Sequence, residues 1–445
     1  MIKAKKNLGI VLFPAFDWAI SETHPEREER LLYTKDQLFE EGIGDIEGIK
    51  FFNPLVAKKE DVERVHFCVP NVGDRVTKSH LVSVGGAIRA AEAVSMGEVD
   101  KAFALIRPPG HHAHKMVYGD RGFCIVNMEA IMIEHMRKSN PGLKVAIIDS
   151  DCHHGDGTQD IYWNDKNILF ISFHQDGRTL YPGTGSINEL GGPSAYGYNL
   201  NIPLPPGTGD EGFLHVLDNV ILPVLDEYKP DIIINSAGQD NHYSDPLTNM
   251  NFTARGYATL NERLNPDIAV LEGGYSIEGA LPYINLGIIL AMAGIDYSNV
   301  AEPDLYTQNL KQSPEITSYI EEVSKVVYNK WKNRHKLRKD MYEGKNYLEK
   351  DAQIYYDTDG IMDRQKQGFH ICDKCAGLNT IESKSSSGFY VFAISIPIGS
   401  CKKCLDKGYK MYKEASLNKF TNVYLQDRVN DRYLKEGKIG GLYRV

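Results

Sequence analysis

The chain has 445 residues, 42% of them hydrophobic and 24% charged, with a net charge of −9 and an isoelectric point near 5.9. That length accommodates one large α/β domain and something smaller, and the composition is that of an ordinary soluble globular protein. The acidic balance excludes the whole chain as a polyanion binder, and no stretch reaches the length of a membrane span.

Read in chain order, the first apolar run, LGIVLF, follows lysines and faintly mimics a signal peptide. It is short, runs into Pro14 and Asp17, and lacks a small-residue cleavage site, so it predicts a core strand over 7–13. Amphipathic periodicity then predicts helices over 27–41 and 79–96. A strand over 102–107 leads into RPPGHHAH, and a helix follows over 124–138. The strand over 144–150 is closed by DSDCHHGDG, and the strand over 167–173 by SFHQDG. A helix over 211–227 precedes the strand over 231–236, which ends in AGQDNHYSDP. A helix over 253–264, a strand over 267–272 ending in EGGY, and a helix over 278–293 complete the series. Runs such as VAIIDS and DIIINS are apolar on both faces, as strands of a parallel sheet covered by helices must be. The expected fold is therefore α/β: a doubly wound, mainly parallel sheet with helices on both faces. Functional groups in such folds lie past the carboxyl ends of the strands, and five strands here deliver polar clusters to that edge.

Asp151 and His153 sit two residues apart at a strand end, so their side chains point the same way. A carboxylate and an imidazole together suit a borderline-soft metal such as zinc. Asp245, in the YSDP loop, is the candidate third ligand; two Asp and one His leave an open position, as catalytic sites do. His111 and His112 follow the rigid Pro108-Pro109-Gly110 turn, with Asp149 and Asp156 as candidate partners that would fix each tautomer. His114 and His154 read as satisfied, non-ligand histidines. Tyr275, after Gly273-Gly274, offers a phenol that can donate to a developing oxyanion.

Taken together, HPEREERL (24–31), VGGAIRAAE (84–92), RPPGHHA (107–113), GFC (122–124), DSDCHHGDGTQ (149–159), YPGTG (181–185), DPL (245–247) and EGGY (272–275) resemble the motifs of the histone deacetylase and acetylpolyamine amidohydrolase family. The resemblance spans roughly residues 10–295. It implies an arginase-deacetylase fold and a zinc-dependent hydrolase of acetyl amides. Asp151, His153 and Asp245 match the zinc ligands, His112 the general base and acid, His111 the electrostatic helper, and Tyr275 the oxyanion donor. Gly122, Phe123 and Tyr181 match the walls of an acyl-lysine tunnel, and Phe252, seven residues after Asp245, is expected at its mouth. The resemblance also implies potassium at Asp149, Ser172 and the backbone carbonyls of Asp151, His153 and Phe173. The sequence departs from the family at Gln239, usually apolar, and at Thr248-Asn249, which replaces a common Gly-Gly. An apolar Phe252 at the mouth would favour acetyl-lysine in proteins or peptides over acetylated polyamines; a non-catalytic acyl-lysine-binding adaptor is the reading from another class.

Of the seven cysteines, Cys68, Cys124 and Cys152 are scattered without a disulfide framework, which favours a reducing, cytoplasmic setting. Cys372, Cys375, Cys401 and Cys404 form two CxxC knuckles and predict a structural tetrathiolate zinc in a ribbon-like module, with FYVFAISIPI as a strand between them. The expected organisation is a catalytic domain over 1–300, a helical extension over 301–360, and the module with its tail over 361–445. From 361 to 413 there are nine Lys/Arg against four Asp/Glu, a net of +5. The module reads first as a stabilising appendage or oligomer contact, and second as a surface for nucleic acid or an acidic protein. The sequence leaves the oligomeric state open.

Overall fold

The computed structural model describes residues 2–13, 19–303, 305–415 and 418–437. Asp17 and the tail beyond 437 lie outside the described residues. The first domain is built on eight strands: β1 Lys3–Leu12, β2 Glu47–Phe52, β3 Lys101–Leu105, β4 Val145–Asp149, β5 Ile168–Gln175, β6 Asn199–Leu204, β7 Ile232–Ala237 and β8 Ile268–Leu271. They lie in the order β2-β1-β3-β8-β7-β4-β5-β6, and every pairing is parallel. All six expected strands are present. The two edge strands were not foreseen: β2 interrupts its apolar residues with Glu47 and Lys50, and β6 carries Asn199, Asn201 and Pro203.

The period of two explains how one sheet serves two cores. In β4, Ala146 and Ile148 join a cluster with Leu31, Tyr257, Ile284 and Trp331 on one face. Val145 and Ile147 join Val84, Ala87, Ile131 and Met132 on the other. The helices Glu29–Glu40, Ala254–Leu264 and Leu281–Ala293 therefore cover the first face, and Lys78–Ser95 and Met128–Ser139 the second. The strands β3, β8, β7, β4 and β5 are consecutive neighbours. Their five carboxyl-end loops therefore meet at one place, where the polar clusters of the sequence fall.

The C-terminal region is larger than a ribbon. The helix Pro314–Tyr342 packs back on the first domain and buries Trp331 completely. A second, six-stranded sheet then follows: β9 Tyr347–Tyr356, β10 Ile361–Cys372, β11 Cys375–Ser385, β12 Tyr390–Ile396, β13 Asn422–Asp427 and β14 Arg432–Gly437. The boundary expected at 361 would cut the antiparallel β9–β10 pair, which is in register from Tyr347↔His370 to Tyr356↔Ile361. The second sheet docks on the first domain through a shared core of Phe67, Met116 and Tyr118 with Ile354, Tyr356 and Tyr424. Among the described residues no helix is long and apolar enough to cross a membrane.

Candidate active site

His111 and His112 follow β3, and each imidazole is met by a carboxylate from the end of β4 or just beyond it. The Nδ1 of His112 lies 2.8 Å from Asp156 Oδ1, and the Nδ1 of His111 lies 3.3 Å from Asp149 Oδ2. The two rings are 4.1 Å apart. His111 is buried, yet Asp151 and Asp149 overcome burial and raise its pKa well above the usual value. Burial and the neighbouring His111 push His112 down to about 3. His112 is thus the neutral, proton-accepting member of the pair and His111 the cationic one. Asp156 stays ionised: burial opposes this, but Arg121 and His114 outweigh it.

Asp151, His153 and Asp240 bring their ligand atoms within 4.8 Å of one another. The Nδ1 of His153 is 3.2 Å from Asp151 Oδ1 and 2.9 Å from Asp240 Oδ2. A tetrahedral zinc with bonds of about 2.0–2.1 Å spaces its ligand atoms by roughly 3.3 Å, close to what these atoms already show. Both carboxylates are fully buried. A Cβ on Gly238 would come 2.1 Å from Asp151 Oδ2, and one on Gly273 would come 2.5 Å from Asp240 Oδ2 and 2.7 Å from Asp151 Oδ2. The backbone is drawn tightly around a cluster of negative charge, and such a cluster calls for a cation. The residues present fit zinc.

Asp245, the expected third ligand, is used differently. Its Oδ1 accepts from Leu247 N at 2.9 Å and its Oδ2 from Tyr275 N at 2.7 Å. Its carboxylate is committed to the turn and to the backbone of Tyr275. Asp240 takes the ligand position, three residues past the end of β7, and its other oxygen accepts from Cys152 N at 2.7 Å. Phe252 also departs from expectation. It is fully buried, stacks on Phe213 at 4.3 Å between centroids and touches Tyr257. That burial stabilises the core by about 1.5–3 kcal/mol, and it takes Phe252 away from the mouth. Gln239 is likewise internal, hydrogen-bonded to Asn285, so it does not shape the rim.

Tyr181, Phe123 and Gly122 lie beside the histidine and tyrosine groups. The Tyr181 ring stands edge-on to His112 at 5.2 Å, and Phe123 stands edge-on to Tyr275 at 5.6 Å. Gly122 is wedged between them: a Cβ there would lie 2.5 Å from His112 and 2.9 Å from Tyr181. Asp149 and Ser172 are register partners on β4 and β5. His154 bonds Thr184 and Gln159, while His114 faces Asp156 and Asp160, so neither is directed to the ligand set.

The motif HPEREERL gains a structural role. Glu26, fully buried, receives Arg107 at 2.9 and 2.7 Å and Arg30 at 3.1 Å. Arg30 also donates to the carbonyls of Glu272 and Gly274, and its guanidinium lies 5.0 Å from the Tyr275 ring. Glu272 accepts from the backbone of Gly110 and His111 at 2.7 and 3.1 Å. One buried network thus ties the histidine turn to the tyrosine turn. Glu26→Ala would leave two buried guanidiniums short of a partner, and the expected cost is about 3–5 kcal/mol. Denaturant unfolding measures it; a loss under 1 kcal/mol would contradict the network's importance.

These elements meet their counterparts in known proteins. The model of the histone deacetylase domain matches residues 69–285. A protein of Archaeoglobus fulgidus named as a probable deacetylase is 48% identical, over 70% of this chain and 95% of its own. The chain belongs to the histone deacetylase family. A histone deacetylase-like amidohydrolase of Pseudomonas aeruginosa is 34% identical over 48% of this deacetylase and 58% of its own length. The crystal structure of the HDA15 HD domain superposes with a TM-score of 0.64 at 25% identity, covering 75% of this chain and 99% of that one. The family is zinc-dependent, and this deacetylase offers an Asp-His-Asp set for the ion.

The cysteines also gather. Cys372 and Cys375 bracket the β10–β11 turn, and Cys401 and Cys404 open the helix Lys402–Glu414. Cys372 Sγ is 4.0 Å from Cys401 Sγ, and Cys375 Sγ is 3.5 Å from Cys404 Sγ. Zn–S bonds of about 2.3 Å in a tetrahedron space sulfurs by roughly 3.8 Å.

Proposed function

We propose that this deacetylase removes acetyl groups from lysine side chains of proteins or peptides. The observation that supports the reading is the aromatic lining: Tyr181 stands edge-on to His112 and Phe123 edge-on to Tyr275, beside the Asp151–His153–Asp240 set. A straight, apolar methylene stem suits such walls, and the acetyl amide at its end would reach the polar groups. The names of several relatives, among them Histone deacetylase 14 of Arabidopsis thaliana, point the same way. Phe252 no longer contributes to this choice.

A zinc ion held by Asp151, His153 and Asp240 would supply the Lewis acidity that polarises the acetyl carbonyl and activates water. His112 accepts the proton of the attacking water at Nε2, since Asp156 occupies Nδ1, and then returns a proton to the departing amine. His111, kept cationic by Asp149 and Asp151, lowers the cost of negative charge growing nearby. The Tyr275 hydroxyl donates to the oxyanion, and its backbone is fixed by Asp245 for that purpose. Potassium at Asp149 and Ser172, with the carbonyls of Asp151, His153 and Phe173, belongs to the same proposal. So does a cytoplasmic setting, which the unpaired Cys68, Cys124 and Cys152 support.

The substrate is tested by kcat/KM for an acetyl-lysine peptide beside acetylputrescine and acetylspermidine. The peptide should lead; a tenfold preference for either polyamine, about 1.4 kcal/mol in transition-state binding, would overturn the assignment. We also propose a structural zinc on Cys372, Cys375, Cys401 and Cys404. Metal analysis should then give two zinc ions per chain, and Cys375→Ser should remove one while exposing the region beyond 345 to protease. A cysteine variant with both ions retained would refute the second site.

A further inference from the structure

The second sheet lies outside the span matched by the deacetylase domain model, yet its β9–β10 turn reaches the active site. We propose that this turn, Asp357–Gly360, is a positioning element for catalysis: it holds the loop Gly119–Phe123, and Arg121 carries that hold to the general base. The proposal rests on the reading of His112 as that base.

Three residues of the turn hold the loop, and the adjoining end of β9 adds a fourth contact through Tyr355. Asp359 Oδ2 accepts from Asp120 N at 2.7 Å, and Thr358 Oγ1 donates to Asp120 Oδ1 at 3.2 Å. Asp357 accepts from Gly122 N, at 3.1 Å to one oxygen and 3.3 Å to the other. Arg121 donates from Nη1 to the Tyr355 carbonyl at 2.7 Å. The fit is two-sided: a Cβ on Gly119 would stand 2.1 Å from Asp359 Oδ2, so the loop is shaped to receive that carboxylate.

The loop needs such support. Gly122 has φ +53° and Phe123 φ +68°, and a left-handed phenylalanine persists only where its surroundings enforce it. These two residues lie beside His112 and Tyr275. Arg121, meanwhile, grips Asp156 Oδ2 through Nε at 3.1 Å and through Nη2, while Asp156 Oδ1 holds His112. Its guanidinium also lies 5.4 Å from the Tyr181 ring. A continuous path therefore runs from Tyr355 through Arg121 and Asp156 to the Nδ1 of His112. The turn itself is anchored behind by Tyr356, whose hydroxyl donates to the Met116 carbonyl at 2.6 Å.

The test uses the full chain with Asp357→Ala/Asp359→Ala, the matched Asn pair, Arg121→Met and Arg121→Lys. Readouts are amide hydrogen exchange over 119–124, kcat and KM separately on an acetyl-lysine peptide, and zinc content. The Ala pair should speed exchange at Asp120 and Gly122 and lower kcat roughly ten- to a hundredfold, the scale of a small misplacement, with zinc unchanged. The Asn pair, which keeps a carbonyl acceptor, should recover most of it. Arg121→Met should lower kcat more than it raises KM, and Arg121→Lys should keep only part of the activity, lacking the planar fork. An Ala pair with wild-type exchange and wild-type kcat would overturn the proposal, as would an Asn pair no better than the Ala pair. Absence of turnover in the wild-type protein would fall on the functional reading instead, and the exchange measurement would still decide whether the turn holds the loop.

Discussion

Asp240→Ala should strip the active-site zinc and take turnover below detection, whereas Asp245→Asn should keep the metal. The geometry separates these two carboxylates sharply. Asp240 Oδ2 lies 2.9 Å from the His153 Nδ1 and faces Asp151 across it, all three being buried or nearly so. Losing one of three ligands leaves an Asp-His pair, too few to hold zinc in a defined open site. Asp245 instead receives the N–H groups of Leu247 and Tyr275. Its amide variant keeps one acceptor, so the tyrosine turn should loosen and kcat fall while zinc stays at the wild-type level. Metal analysis of the purified variants, alongside turnover, gives the answer. Metal loss in Asp245→Asn with retention in Asp240→Ala would reverse the ligand assignment.

His112→Ala should lose about two to four orders of magnitude in kcat, the usual worth of a positioned acid-base group, with zinc retained. Tyr275→Phe should lose about two to three orders, the typical size of one oxyanion donor. The two residues act on opposite ends of the reacting amide, the proton and the oxygen. Neither touches the ligand set as a donor, so both variants should bind metal normally. Single-turnover rates on an acetyl-lysine peptide check the pair. Activity within threefold of wild type in His112→Ala would remove it from the role of base.

The sheet was legible because its strands are buried on both faces, and VAIID or DIIIN has few other places to go. Edge strands β2 and β6 were hidden because neither shows the continuous apolar run of the central strands: β2 mixes Glu47 and Lys50 with Ile49, Phe51 and Phe52, and β6 alternates Asn199, Asn201 and Pro203 with Leu200, Ile202 and Leu204. The histidine pair and its carboxylates were legible because adjacent imidazoles need partners, and Asp149 and Asp156 flanked the metal motif. Asp240 and Asp245 were confused because both stand in one loop, AGQDNHYSDP, and spacing cannot say which carboxylate turns inward. The clue was distance from the strand: Asp151 lies two residues past β4, and Asp240 three past β7, still within the strand's reach. Phe252 was misplaced because counting along a loop ignores its return to the core beside Phe213. Gly122 and Asp357 are 235 positions apart, and no local pattern could join them.

Acetate release from an acetyl-lysine peptide by the wild-type protein, before chelation, after chelation and after zinc is restored, tests the central claim most directly. The expected result is steady release, loss to background when the metal is removed, and recovery on adding zinc. No release from zinc-loaded protein, or release that survives complete removal of the metal, would contradict a zinc-dependent lysine deacetylase.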